Sequence, residues 1–321
     1  MWKIIENEPS EVWDERLATF GGHPLQSALW GDARAKAEGN PHERLLVEHD
    51  GRTVLQARIE ARHHKLAGKI AWIPQGPLYL YSEIAFAAHL QLKAALKARG
   101  YQVYFEDPRD PIPPRYREHG VCIGGPSQTI IVDLSVGPEA LWRELSANWR
   151  NEIRGALKKG ICVREVDDDE SISRFVAVCA ALGKTKGFRF QGSAELVSHL
   201  LRERNSPQVT AKLYAASLAG EFLGGLFVFI VGASMQNIWN VVVRSGGGSN
   251  RLLQWTAMKA ASDAKVTRYD LGGIDPIVNP GVYKFKRALT GPVVTFPPIR
   301  GAALSLRGGI ALAAARALRK V

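Results

Sequence analysis

Cysteine is scarce in this chain of 321 residues: Cys122, Cys162 and Cys179 are the whole set, and no two form a C-x-x-C pair. An odd count without close spacing excludes a disulfide framework and a cysteine zinc site, and it fits a reducing compartment. Eight histidines are present but make no ligand set, because the adjacent His63 and His64 in a strand point to opposite faces. The N-terminus, MWKIIENEPSEVW, lacks the basic start and apolar stretch of a signal peptide. The longest apolar run, Phe222–Met235, is too short to cross a bilayer as a helix. No G-x-S-x-G elbow, Walker loop or paired-histidine helix occurs. These absences leave a protein expected to act in the cytoplasm without a metal.

Acidic residues are also in the minority, 31 against 42 lysines and arginines, for a net charge of +11. The excess favours an anionic partner such as nucleic acid, a phosphorylated substrate or an acidic membrane surface. With 46% hydrophobic and 23% charged residues the chain is globular, and it is long enough for two domains.

One pattern is stated twice. The turn His49-Asp50-Gly51-Arg52 leads into a strand at Thr53–Ala61. A second strand region at Lys69–Tyr81, a helix at Glu83–Arg99 and a strand at Gln102–Glu106 ending at Asp107-Pro108 follow. About 168 residues later the same series recurs: a turn at Gly220, strands at Phe222–Val231 and Met235–Val243, a helix at Asn250–Lys265 and a strand at Thr267–Leu271. Duplication of a strand–strand–helix–strand unit is the economical account. The unit suits the mixed sheet of the acyl-CoA N-acyltransferase (GNAT) fold.

The segment RYDLGGIDPIVNPGVYKFKRALTG, 268–291, carries the densest chemistry. Gly272-Gly273 frees the backbone at a strand end. Asp275-Pro276 and Asn279-Pro280-Gly281 are turn residues. Tyr283, Lys284, Phe285, Lys286 and Arg287 then alternate aromatics with cations. The reading is a pocket rim for an anionic ligand; its alternative is a surface loop with a solvated basic end. In a predicted helix at Pro138–Lys159, Arg150, Arg154 and Lys158 fall on one face, which is either a phosphate-backbone footprint or a solvated stripe.

The closing segment resembles the terminal motif of the Fem-type (FemABX) aminoacyltransferases. NWRNEIRGALKKGICV at 148–163 is similar to that family's helix–strand motif, and two weaker matches are QSALWGDARAKAEG at 26–39 and Gly187-Phe188-Arg189-Phe190. The resemblance implies an α/β protein of two tandem GNAT-like domains, 1–135 completed by 293–321, and 136–292. No heptad run is present, so the family's coiled-coil arm is not expected. It further implies transfer of an amino acid from aminoacyl-tRNA to a muramyl-peptide precursor, with no cofactor. Lys286 would support the oxyanion, with Phe285 beside it. Asp107 would accept the amine proton, unless no dedicated base is used. Lys36, Arg189 and Tyr283 would bind the acceptor, and Arg150, Arg154 and Lys158 the tRNA. Arg244-Ser245-Gly246-Gly247-Gly248-Ser249 nearly matches the pyrophosphate loop of CoA-dependent relatives, but ends in serine where glycine or alanine is wanted. A CoA-dependent N-acyltransferase, an aminoacyl-tRNA-dependent transferase acting on a non-cell-wall small peptide, and a non-catalytic RNA- or membrane-binding protein are the competing readings. The acid-free C-terminus, 300–321, is expected to pack its leucines inward and touch an anionic membrane with its cations, with Gly308-Gly309 breaking any helix.

Overall fold

The computed structural model describes residues 1–109, 120–187, 189–203, 206–243 and 247–318. The chain forms two compact units, Met1–Ser127 with Thr295–Val321, and Gln128–Val294. Each is a mixed sheet with helices, and each contains one parallel strand pair joined through a crossover helix.

In the first unit the strands are β1 (Trp2–Glu6), β2 (His42–His49), β3 (Arg52–His64), β4 (Gly68–Ile73), β5 (Leu78–Tyr79), β6 (Val103–Glu106), β7 (Val121–Cys122) and β15 (Arg300–Ala303). They run in the order β1-β2-β3-β4-β6-β15-β7, with β5 paired to β3. The pair β4–β6 is parallel and is joined through α3 (Ala85–Ala98). That helix buries Ala88, Leu92, Ala95 and Leu96 against Val54, Ala57 and Tyr104. Helices α1 (Ser10–Thr19) and α2 (Ala28–Glu38) precede β2. The last strand and α10 (Leu306–Leu318) return to this unit, where β15 pairs antiparallel with β6.

The second sheet runs β14-β8-β13-β12-β11-β10-β9. Its strands are β8 (Ser127–Asp133), β9 (Cys162–Val166), β10 (Val209–Leu218), β11 (Glu221–Val231), β12 (Ser234–Val242), β13 (Arg268–Asp270) and β14 (Val293–Phe296). The parallel pair is β12–β13, joined through α8 (Ser249–Asp263), whose Leu253, Ala257 and Ala261 enter the core. Helices α4 (Pro138–Glu144), α5 (Ala147–Lys158), α6 (Asp169–Lys186), α7 (Ala194–Arg202) and α9 (Pro280–Arg287) complete it.

Four expectations are corrected. The boundary falls at 127/128 rather than 135, because β8 pairs with β13 of the second sheet, with Asp133, Val132 and Ile131 opposite Arg268, Tyr269 and Asp270. The single helix at 138–159 is two. Leu145 turns to ψ 139°, and the Ser146 side chain accepts from the Trp149 N–H to start α5 afresh. The segment 280–287 is a helix, which replaces the alternative of a surface loop. Its start uses Asn279 as cap and Pro280 in the first turn. Finally, α10 runs through Gly308-Gly309 unbroken. A Cβ at Gly308 would lie 1.7 Å from the Gln102 carbonyl oxygen, so this glycine permits close packing instead of ending the helix. Leu304 and Leu312 are buried as expected, whereas Leu306 and Ile310 point to solvent. Arg319 and Lys320 lie outside the described residues.

Candidate active site in the second unit

β12 and β13 are paired only from Ser234–Arg268 to Gln236–Asp270. Beyond that point no pairing joins them. On its other edge β12 carries a bulge: Asn237 pairs with Val228 and Trp239 with Phe227, which leaves Ile238 as the extra residue. In a regular strand, residues three apart face opposite sides. The extra residue shifts the phase, and both Asn237 and Asn240 line one cavity of about 440 Å³. The site thus sits where two parallel strands end, the usual position for a ligand crevice in sheets of this kind.

The cavity walls come from four further elements. Helix α8 contributes Asn250 and Gln254 from its first two turns. The end of β13 contributes Leu271, Gly272 and Gly273. Helix α9 contributes Val282, Phe285 and Lys286, its cap Asn279 lies beside them, and Lys186 reaches in from the end of α6. The lining holds four asparagines, one glutamine and two lysines, with no carboxylate. Such a wall offers amide donors and acceptors and a net positive field.

Lys286 is the most constrained of these groups. Its Nζ donates to the carbonyl oxygens of Gly272 at 3.1 Å and Gly273 at 2.9 Å. An ammonium has three N–H donors, so one remains for the cavity that the side chain lines. Burial pushes its pKa down to about 8, and the nearby Asp270 carboxylate opposes part of that shift. Asp270 is itself buried. It accepts from the Thr129 hydroxyl and, at 2.8 Å, from the Gly272 N–H. Gly272 is held at φ +76°, a left-handed conformation that turns its carbonyl toward the lysine.

Behind the lysine lies a polar floor. The Tyr269 hydroxyl donates to Gln254 Oε1 at 2.7 Å, and burial pushes its phenol pKa upward, which keeps it a donor. Asn250 Oδ1 is buried and has no partner among the described residues. An orphaned acceptor on a cavity wall is costly unless a ligand donor meets it. Phe285 packs against Trp149 of α5 at 5.1 Å between ring centroids, which fixes the roll of α9 and therefore the direction of Lys286.

The expected site residues divide as follows. Lys286 and Phe285 meet in the cavity. Tyr283 is half-buried against the hydrophobic core and lies outside the cavity lining. Arg189 is exposed, next to Phe190, which packs edge-on against Trp239; Phe188 lies outside the described residues. Arg150 is not part of a free stripe. Its guanidinium donates to the carbonyls of Arg143, at 2.8 Å, and of Leu145, closing the end of α4. Arg154 and Lys158 are exposed, with Arg154 lying over Trp142 at 5.5 Å. Two residues belong to the first unit. Lys36 is exposed in the last turn of α2. Asp107 follows β6 and accepts from the Gln75 side chain, and burial raises its pKa against the opposing pull of Arg109. Of the glycine-rich loop, Arg244, Ser245 and Gly246 lie outside the described residues.

The amide wall and Lys186 were not anticipated. The pair Asn237 and Asn240 beside Gln236 in one strand was a signal, but their spacing reads as opposite faces until the bulge is known.

Residues 143–287 match the acetyltransferase (GNAT) domain family. Comparison with curated proteins gives no match. Among solved structures, the crystal structure of FemX aligns over 98% of this chain and 100% of its own, with a TM-score of 0.80 at 16% identity. L-PGS from Bacillus licheniformis aligns over 97% and 98%, with TM-score 0.60 at 14% identity. A tandem GNAT protein from the clavulanic acid biosynthesis pathway aligns over 95% and 99%, with TM-score 0.58 at 12% identity. At such identities the likeness speaks of fold alone: the chain has two tandem GNAT-like domains, its fold is similar to that of FemX, and the stretch similar to the acetyltransferase (GNAT) domain family lies in its second unit.

Proposed function

We propose that the protein is an aminoacyltransferase that moves an amino acid from aminoacyl-tRNA to an amine of a muramyl-peptide precursor, lipid-linked or nucleotide-linked. The acyltransferase class is supported by the GNAT family match. The observation that carries the reading is Lys286: a pre-positioned, partly desolvated cation that has one N–H unpaired among the described residues, in a cavity walled by amides.

The donor ester is already activated. A neutral amine attacks its carbonyl carbon, the carbonyl oxygen becomes an oxyanion, and the ribose oxygen leaves as the amide forms. The proton lost by the amine is taken up by the departing oxygen. The chain's contribution is alignment, worth up to about 7–11 kcal/mol in favourable cases, and a donor for the oxyanion. Lys286 is that donor. Gly272 and Gly273 hold it from behind, and Phe285 stacked on Trp149 keeps it in line. The amides of Asn237, Asn240, Asn250 and Gln254 suit the uncharged polar edges of a nucleoside end. No cofactor enters the scheme, since aminoacyl-tRNA is a substrate.

The acidic backbone of the tRNA is met by exposed cations on α5 and β9, Arg154, Lys158, Lys159 and Arg164. Lys36 and Arg189, both exposed, are the cations proposed for the anionic acceptor. Among the described residues no helix is long and apolar enough to cross a membrane.

The test is transfer of radiolabelled amino acid from a pool of charged tRNAs to lipid-linked and to nucleotide-linked muramyl peptide. Label should pass to one acceptor and be abolished by ribonuclease. Transfer only from acyl-CoA would replace this reading with a CoA-dependent N-acyltransferase.

A further inference from the structure

Leu66, Leu306 and Ile310 are among the most exposed large side chains of the protein, at 79%, 92% and 75%. Leu66 sits in the turn between β3 and β4, and the other two lie one turn apart on α10. Arg307 ties these elements together: its Nε donates to the Leu66 carbonyl at 2.6 Å and its Nη2 to the Lys65 carbonyl at 2.5 Å. The corner is also anchored from beneath. Gly308 lies against the Gln102 backbone, Ser305 Oγ donates to Gln102 Oε1 at 2.6 Å, and Ala67 and Gly68 are buried. Leu306 and Ile310, four residues apart, share the face opposite Gly308 and Leu312. Three aliphatic side chains are thus held outward on a fixed base, with no route inward.

Basic side chains and two histidines surround them. Arg62, His63, His64, Lys65, Arg307 and Arg316 are all exposed. Neither 61–72 nor 297–318 contains an acidic residue. Among the described residues Glu60 meets this set, paired with Arg62 at 2.9 Å.

We infer that this corner of the first unit is a docking site for an anionic lipid surface. Aliphatic groups gain by leaving water for the boundary between headgroups and acyl chains, and lysines and arginines beside them are drawn to acidic headgroups. Both halves of the chemistry are present, at one place, on rigid elements. A second copy of the chain would bring like charge against like charge. A nucleic acid backbone would use the cations and leave three aliphatics in water. The inference goes beyond the transferase reading and does not depend on it.

The experiment is co-sedimentation of the full chain with phosphatidylglycerol–phosphatidylcholine vesicles and with pure phosphatidylcholine vesicles at physiological salt. The parent should favour the acidic vesicles by about tenfold or more. A Leu66→Ser/Leu306→Ser/Ile310→Ser variant, altered only at exposed positions and checked by its melting curve, should bind acidic vesicles about tenfold more weakly. A Lys65→Gln/Arg316→Gln variant should lose the preference for acidic lipid and keep its residual affinity for neutral lipid. Failure of the parent to sediment with acidic vesicles would overturn the inference, as would undiminished binding by the triple-serine variant. If that variant lost tRNA binding while still sedimenting with vesicles, the corner would be a nucleic-acid surface and the lipid assignment would be wrong.

Discussion

Replacing Lys286 with methionine separates two consequences of one partly buried ammonium. Methionine keeps the length and apolar stem and removes the charge, the two bonds to Gly272 and Gly273, and the donor facing the cavity. For turnover, loss of a single oxyanion donor is worth about 10²- to 10³-fold. For stability the sign differs. A lysine whose pKa falls from 10.5 to about 8 in the fold is destabilising while charged, and that burden is relieved as pH rises from about 8 toward 10.5. Between pH 7 and 9.5 the relief amounts to about 2 kcal/mol. Urea melts at the two pH values should therefore show parent stability rising relative to Lys286→Met by that amount. Single-turnover transfer should fall by two to three orders of magnitude at neutral pH, a range set by the loss of one donor. In the parent, the contribution of Lys286 to the rate should fade above pH 8. A variant with parent-like turnover would remove Lys286 from the mechanism. A parent–variant stability difference that does not move with pH would show that the ammonium is not desolvated as described.

Gly272→Ala should cost about 1–2 kcal/mol for the left-handed backbone, and its Cβ would stand 3.1 Å from the Asn237 carbonyl oxygen and 3.6 Å from Lys286 Nζ; thermal melts and transfer assays should both register it. Arg150→Ala should lower stability by about 1–3 kcal/mol through lost bonds to the end of α4 and leave the salt dependence of tRNA binding unchanged, whereas Arg154→Ala/Lys158→Ala should flatten the slope of log affinity against log salt by about 2. Glu106, buried beside Arg300, has its pKa raised by burial to about 8. A raised carboxyl pKa means the folded state holds the proton longer than the unfolded one, so stability contributed by this group declines from about pH 4.5 to 8. Glu106→Gln should therefore gain on the parent as melts are moved from pH 5 to pH 8, and an unchanged difference would refute the assignment.

The chemistry of the candidate site was legible wherever unusual residues mark unusual backbone. Gly272-Gly273 and Phe285-Lys286 stood out because few roles other than a site need that combination. The duplicated unit was legible because apolar spacing and turn residues repeat together. The break between α4 and α5 was not, since Ser146 interrupts no apolar period and only the turned backbone at Leu145 reveals it. Helix α9 was obscured because Asn279-Pro280-Gly281 reads as a turn, although a cap followed by proline also opens helices. The amide wall depended on the bulge at Ile238, a property of the pairing between β11 and β12 rather than of either strand alone. Arg150 looked like part of a stripe because helical spacing cannot reveal that the preceding carbonyls were waiting for a donor.

The placement of β15 bears on how the chain emerges from the ribosome. Gln128–Val294 is an insertion in the sequence of the first unit, and every strand of the second sheet, the edge strand β14 included, is translated before Arg300 appears. The first sheet, by contrast, lacks the strand that lies between β6 and β7 until the whole of the inserted unit has been made. Folding units usually mature from the N-terminus onward. Here the inserted unit is the first that can mature, and the N-terminal half waits with an open edge at β6. That edge is a vulnerable, aggregation-prone surface for the duration of translation, so a ribosome stalled before residue 300 would release a chain whose second unit is nearly complete and whose first is not.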